Sequence, residues 1–231
     1  MSAEAALAAA AGVEGWLTDD QARRLWARAA DARGLVVEIG SFRGRSTIVL
    51  ASAAPEVVAI DPHAGSDRGP QEILADAARG AADHEAFRAN LERAGVADRV
   101  RHVRQPSAEA LDAVDGPVAL LYVDGAHRLG PARADLAGWG ARVAPGGAML
   151  VHDAFSSVGV TLALLAECVF SPRWRYVGRT GSLAEYERIA LRGRARAHDA
   201  LRQLAELSWF ARNLAIKVLI VTRLRDGPWP Y

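Results

Sequence analysis

The chain has 231 residues, enough for one large domain with a substantial core or one domain with an appendage. Apolar residues make up 51% and charged residues 24%, the balance of a soluble globular protein. With 28 Lys+Arg against 27 Asp+Glu the net charge is +1, so no global field argues for a nucleic-acid partner.

Lys217 is the only lysine, and Cys168 the only cysteine. A lone cysteine cannot close an intrachain disulfide, which suits a reducing cytoplasm. No run of 18 apolar residues offers a spanning helix. The opening MSAEAALAAAAG carries Glu4 and lacks a basic start, so it reads as a short or frayed helix rather than a signal peptide. A soluble cytoplasmic protein is expected.

GWLTDDQARRLWARAADA reads as a capped helix. Thr18 and Gln21 fit a capping box, and Leu25 and Ala29 continue an apolar stripe behind Trp16. Short apolar runs then alternate with helix-like stretches. The runs are LVVEIG (35–40), VVAID (57–61), RVRHVR (99–104), VALLYVD (118–124) and GAMLVHD (147–153). The helices are expected over 44–53, 81–94, 107–113 and 130–143. All runs but the third are nearly continuous hydrophobes, as strands covered on both faces should be. The alternation predicts an α/β fold with a doubly wound parallel sheet and right-handed crossovers.

VTLALLAECVF reads as a buried helix. WRYVGRTGSLAEYERI reads as two strands around Thr180-Gly181, an antiparallel hairpin that finishes the sheet. Residues 191–224 form a last helical region whose second half is apolar around much of its circumference, interrupted by Arg212, Lys217 and Arg223. Packing on the sheet or on a second subunit, as in a homodimer, is favoured there over contact with a membrane surface. The chain divides into an N-terminal helical extension (1–33), a central domain (34–190) and a C-terminal helical extension (191–231).

Open parallel sheets bind ligands beyond the carboxyl ends of their strands, and the polar residues concentrate there. The first strand carries Glu38 and runs into GSFRGRST, where Gly40 and Gly44 allow a tight turn and close approach to a ligand, and Ser46 and Thr47 open the next helix. The spacing is not that of a GxGxxG dinucleotide loop. Asp61 ends the second strand and can accept both hydroxyls of a ribose. Together these suit a nucleoside-containing cofactor.

The fourth and fifth strands end in VDGAH and VHD. Adjacent strand ends lie roughly 5 Å apart, so Asp124 and Asp153 can converge on a hard divalent cation with His152 as a third ligand. His127 would face the same cleft, where a neutral imidazole can take a proton from a hydroxyl. The competing reading has Asp124 and Asp153 capping the following helices and His127 ordering a loop. The long segment after Asp61, rich in Gly, Asp and Arg, reads as a lid, with His63, Asp67 and Arg68 as candidate substrate contacts.

VVEIGSFRGRST, VVAID, LLYVDGAH…DLAGW and APGGAMLVHD together resemble class I S-adenosylmethionine-dependent methyltransferases, and more narrowly the metal-dependent O-methyltransferases of small molecules and sugars. The resemblance covers roughly residues 15–190. It implies a Rossmann-like seven-stranded sheet, helices on both faces and the last pair antiparallel. It places Glu38, Gly40, Ser41 and Gly44 around the methionine part of S-adenosylmethionine, Asp61 on its ribose and Ser107 near its adenine, with Ser46 and Asp124 as further cofactor contacts. The Ser107 stretch reads Gln-Pro-Ser where relatives have Gly-Asp-Ser. Asp124 and Asp153 match metal carboxylates, with Mg the expected ion, and His152 stands where relatives often carry another acid. His127 matches the proposed base. Relatives that use a lysine base have no counterpart here, since Lys217 lies far along the chain from every strand end.

The expected activity is transfer of a methyl group from S-adenosylmethionine to a hydroxyl of a small molecule, with a polar lid that suits a saccharide such as a mannoside or deoxysugar. The alternatives are a nicotinamide-dependent oxidoreductase, which the missing GxGxxG disfavours, and a non-catalytic binding protein that keeps the fold.

Overall fold

The computed structural model describes residues 1–67 and 73–223. Seven strands form one sheet: β1 (Leu35–Ile39), β2 (Val57–Ile60), β3 (Val100–Val103), β4 (Val118–Val123), β5 (Val143–Val151), β6 (Trp174–Thr180) and β7 (Leu183–Arg188). Their order across the sheet is β3-β2-β1-β4-β5-β7-β6. The first five are parallel, and β7 runs antiparallel to both β5 and β6. Successive side chains along a strand point to opposite faces, so each apolar run supplies two cores. Val37, Ile39, Leu121, Val123, Met149 and Val151 pack on one face. Val36, Leu120, Tyr122 and Leu150 pack on the other.

That second face is covered by α1 (Ala3–Ala10), α2 (Asp19–Asp31) and α3 (Arg45–Ala53), with Ala10, Leu25 and Ala29 in its core. The capping box of α2 is formed as the sequence predicts: the Thr18 side chain accepts from Gln21 N–H, and Gln21 Oε1 accepts from Thr18 N–H. α4 (Ala77–Arg93) begins earlier than expected because Asp76 caps it, its carboxylate accepting from Arg79 N–H. On the first face lie α5 (Leu129–Arg142) and α6 (Val158–Leu164), which a π-helical turn (Leu165–Val169) extends.

The helix expected over 107–113 does not form; only Leu111–Ala113 makes a 3₁₀ turn. Side chains of α5 take the polar groups of this segment. Trp139 Nε1 donates to Ser107 O at 3.0 Å, and Arg142 donates to the carbonyls of Leu111 and Val114. Carbonyls satisfied from outside have no need of helical partners.

The last helical region is two helices, α7 (Gly193–Ala205) and α8 (Leu207–Val221). Trp209 and Phe210 pack against the core, yet Leu214, Val218, Leu219 and Val221 are exposed. Packing of α8 on the sheet is therefore partial. Among the described residues no helix is long and apolar enough to cross a membrane.

Candidate active site

The carboxyl ends of β1, β2, β4 and β5 open into a cavity of about 940 Å³. Its lining includes Gly40, Ser41, Ser46, Asp61, Ser107, Asp124, His127, His152 and Asp153, all singled out from the sequence. The volume is at the upper end of small-molecule sites, enough for a nucleoside cofactor beside an acceptor.

Gly40 has φ +84°, and a Cβ there would lie 2.1 Å from the carbonyl oxygen of Asp124. Only glycine lets the end of β1 pass this close to the end of β4, which brings the first loop to the acid cluster. The loop is then held from beneath. Asp61 accepts from the backbone N–H groups of Ser41 (3.0 Å), Phe42 (2.8 Å) and His63 (2.7 Å). Glu38 is completely buried and accepts from the hydroxyls of Ser46 and Thr47. Burial pushes its carboxyl up to about 8, against the hydrogen bonds that favour ionisation. Glu38 and Gly44 thus stand behind the cavity wall rather than in it.

His63 also belongs to the scaffold. Its ring is buried between His84, Phe87 and His102, and Nε2 contacts the Phe42 carbonyl at 2.7 Å. The ring is thus packed into the scaffold, while His63 is also among the residues that line the cavity. Asp67 lies at the cavity and pairs with Arg128 at 3.1 Å through both guanidinium contacts. Arg68 lies outside the described residues. Phe42, His63, Asp67 and Asp153 all have positive φ and all line the cavity, so uncommon backbone geometry gathers at this one place.

Asp124, His127, His152 and Asp153 converge. His152 Nδ1 lies 3.2 Å from Asp124 Oδ1 and 3.7 Å from Asp153 Oδ2, and His127 Nε2 lies 3.1 Å from Asp153 Oδ2. Tyr122, two residues before Asp124 on the same face, donates its hydroxyl to Asp124 Oδ2 at 2.9 Å. Burial acts against every charge here, but the two histidines hold Asp124 and Asp153 below the usual carboxylate range. The same carboxylates outweigh burial to raise both histidines, His152 well above its ordinary value.

Oxygens of Asp124 and Asp153 and a nitrogen of His152 lie within 4.8 Å of one another, the only such trio among the described residues. His152 Nδ1 and Asp153 Oδ1 are buried without a hydrogen-bond partner. Two carboxylates around an orphaned imidazole nitrogen fit a divalent cation. Helix-capping does not explain them, since α5 and α6 have no side-chain caps.

Asp135 and Lys217 are lining residues whose place in the site the sequence reading missed. Asp135 of α5 is buried and accepts from the Ser107 hydroxyl at 2.5 Å, and burial pushes its carboxyl up to about 6. The signal was present, because Asp135 sits on the buried stripe of Ala132, Leu136 and Trp139. Lys217 is the second. α8 folds back so that Lys217 lines the cavity, with Nζ donating to Ser156 O at 2.8 Å, and burial lowers its pKa. Distance along the sequence was a poor guide to its place.

Residues 37–154 match a family described as a methyltransferase domain. A catechol O-methyltransferase of Mycobacterium tuberculosis is 35% identical over 119 residues, which cover 51% of this chain and 46% of that one. The chain thus aligns with about half the length of this curated relative. Among solved structures, the O-methyltransferase TomG of Streptomyces achromogenes, in complex with S-adenosylmethionine, superposes with TM-score 0.58 at 21% identity, over 80% of this chain and 89% of that one. An O-methyltransferase of Bacillus cereus bound to S-adenosylhomocysteine gives TM-score 0.57 at 18% identity, over 81% and 90%. At these identities the superpositions establish the fold.

Proposed function

Because the chain belongs to the methyltransferase-domain family, among the class I S-adenosylmethionine-dependent methyltransferases, we propose that it moves a methyl group from S-adenosylmethionine to a hydroxyl of a small molecule, assisted by a divalent cation. The observation that carries this reading is the meeting of Asp124, His152, Asp153 and His127 in the cavity that Gly40, Ser41 and Asp61 also line.

On this reading Gly40, Ser41 and Ser46 face the methionine part of the cofactor. Ser41 Oγ is buried without a partner, as a donor reserved for a ligand would be. Asp61 lies at the ribose, with lone pairs beyond those its backbone bonds use. Ser107, fixed by Asp135 and Trp139, lies towards the adenine. Asp124, His152 and Asp153 hold the cation, with Mg the expected ion; when bound, it supplies Lewis acidity to the acceptor oxygen and offsets the two carboxylates.

Methyl transfer is an in-line displacement: the acceptor oxygen bonds the methyl carbon as the carbon–sulfur bond breaks, and the sulfonium becomes a neutral thioether. The hydroxyl proton goes to His127 Nε2, which faces the acid cluster. A positioned base contributes about 10²–10⁴-fold, and alignment of the two reactants supplies much of the rest.

The finer reading is a saccharide acceptor. Ser66, Asp67, Arg128, Ser156 and Lys217 give the cavity wall near the cluster a polar character suited to a polyhydroxyl compound. A catechol is the second reading, favoured by the Mycobacterium tuberculosis relative and by the Trp16–Phe42 ring pair, whose centroids lie 5.6 Å apart in the lining. Residues 34–190 would carry the catalytic fold, while 1–33 and 191–231 supply further wall and, through the exposed apolar residues of α8, the contact of a homodimer.

Calorimetric titration of S-adenosylhomocysteine with and without Mg²⁺, followed by transfer of labelled methyl to saccharide and catechol panels, tests the proposal. Binding and Mg²⁺-dependent labelling of a saccharide support it. Absence of cofactor binding under both conditions refutes it and returns weight to a nicotinamide or protein ligand, while binding without transfer to any acceptor favours a non-catalytic role.

A further inference from the structure

The buried edge of α2 reaches the acid–histidine cluster through Gln21, whose side chain the proposed chemistry does not use. Gln21 is wholly buried. Its amide orientation follows from its partners. The backbone N–H of Thr18 can only donate, so the amide atom 2.9 Å away is Oε1. Nε2 then donates to Ser182 Oγ at 3.1 Å. His152 Nε2 lies 3.3 Å from that same Oε1. An amide oxygen only accepts, so the proton of this ring–amide contact sits on His152 Nε2. In the neutral ring the other nitrogen, Nδ1, is thereby the one that carries the lone pair. It is buried, makes no hydrogen bond and lies 3.2 Å from Asp124 Oδ1.

Without a cation a proton on Nδ1 of the charged ring faces Asp124; a cation bound among the three groups takes the place of that proton and uses the Nδ1 lone pair. We propose that Gln21 is a positioning residue for that cation: by accepting the Nε2 proton it selects the His152 tautomer that ligates through Nδ1 and fixes the plane of the ring. The inference rests on the divalent-cation reading of Asp124, His152 and Asp153 and adds a residue from outside the segment that matches the family. It also makes the N-terminal helix part of the site. One side chain closes the α2 capping box with Oε1 and holds the metal-facing histidine with the same atom, so the end of α2 and the cation site are built on a single acceptor. Ser182, at the turn between β6 and β7, completes the clamp from the Nε2 side.

Groups that orient a ligating histidine typically contribute 10–100-fold to metal affinity. The test is calorimetric titration of Mn²⁺ into the full chain, its Gln21→Met variant and its Gln21→Glu variant, with near-ultraviolet circular dichroism as the check on folding. Gln21→Met keeps length and removes the acceptor, and should weaken Mn²⁺ binding about 10–100-fold. Gln21→Glu keeps an acceptor for both Thr18 and His152 and should retain wild-type affinity, which a merely space-filling role would not require.

A second measurement needs no variant: ¹⁵N spectra of the Mg²⁺-saturated wild-type chain should show His152 protonated at Nε2 and not at Nδ1. A folded Gln21→Met chain with unchanged Mn²⁺ affinity, or a proton on Nδ1 in the Mg²⁺-saturated protein, overturns the role of Gln21 and leaves the cation site standing. Failure of the wild-type chain to bind either Mn²⁺ or Mg²⁺ overturns both together.

Discussion

Replacing Glu38 by glutamine should flatten part of the pH dependence of folding. The carboxyl is completely buried beneath the glycine loop and titrates at about 8 in the folded chain, against an ordinary value of 4.5, chiefly because burial disfavours its charge. Between those two values the folded chain keeps a proton that the unfolded chain has released. The stability that protonated Glu38 contributes is therefore full below 4.5 and is lost as the pH rises through about 8. At about 1.36 kcal/mol per pH unit, the difference between 4.5 and about 8 corresponds to a ceiling of about 5 kcal/mol. The amide of the Glu38→Gln variant stays neutral throughout; its oxygen accepts from one of the Ser46 and Thr47 hydroxyls, and its NH2 group donates to the oxygen of the other. Urea unfolding of both chains from about pH 5 to about pH 8 gives the comparison, since all other titrations are common to both and cancel. The variant should gain on the wild type steadily across that range, by several kcal/mol. A stability difference that stays constant from end to end would show that Glu38 ionises normally, and the account of its burial would fall.

Three further outcomes follow from the site. His127→Ala should lower turnover about 10²–10⁴-fold while S-adenosylhomocysteine affinity in calorimetry stays within a few-fold, because the imidazole acts on the acceptor; a fully active variant removes it as base. Asp153→Ala deletes one of two carboxylates and should shift the Mg²⁺ activation curve to higher concentration; an unchanged curve takes Asp153 out of the ligand set. Gly40→Ala places a methyl carbon 2.1 Å from the Asp124 carbonyl in a left-handed backbone, which should cost about 3 kcal/mol or more in thermal or urea unfolding and weaken cofactor binding. Wild-type stability would mean that β1 and β4 do not approach as described.

The parts of this protein that sequence made legible are those decided by neighbours along the chain. The strands announce themselves because each is a run of apolar residues long enough to fill both faces of the sheet. The α2 capping box needs only Thr18 and Gln21, three residues apart, and the hairpin only a turn at Gly181, whose φ is +57°. Asp124 and Asp153 were legible as a pair because parallel topology puts the ends of β4 and β5 side by side. The segment 107–113 failed for the opposite reason: its helix was lost to Trp139 and Arg142, some thirty residues away. The packing of His63 was hidden for the same reason, since nothing local says that its ring will turn inward against His84 and His102.

Lys217 marks the limit most clearly. It reaches the cavity only because α8 folds back from the far edge of the sheet, so its relation to Ser156 belongs to the tertiary fold. Gln21 lies between the two cases. One contact of its Oε1, with Thr18, is a helix signal readable from spacing; the other, with His152, spans 131 residues. An amide oxygen has two lone pairs, so the local bond leaves a second acceptor direction unassigned, and only the packing of α2 against the sheet decides what fills it. Side chains that cap a helix and are also completely buried are therefore places to look for long-range chemistry, because burial requires every remaining polar direction to find a partner.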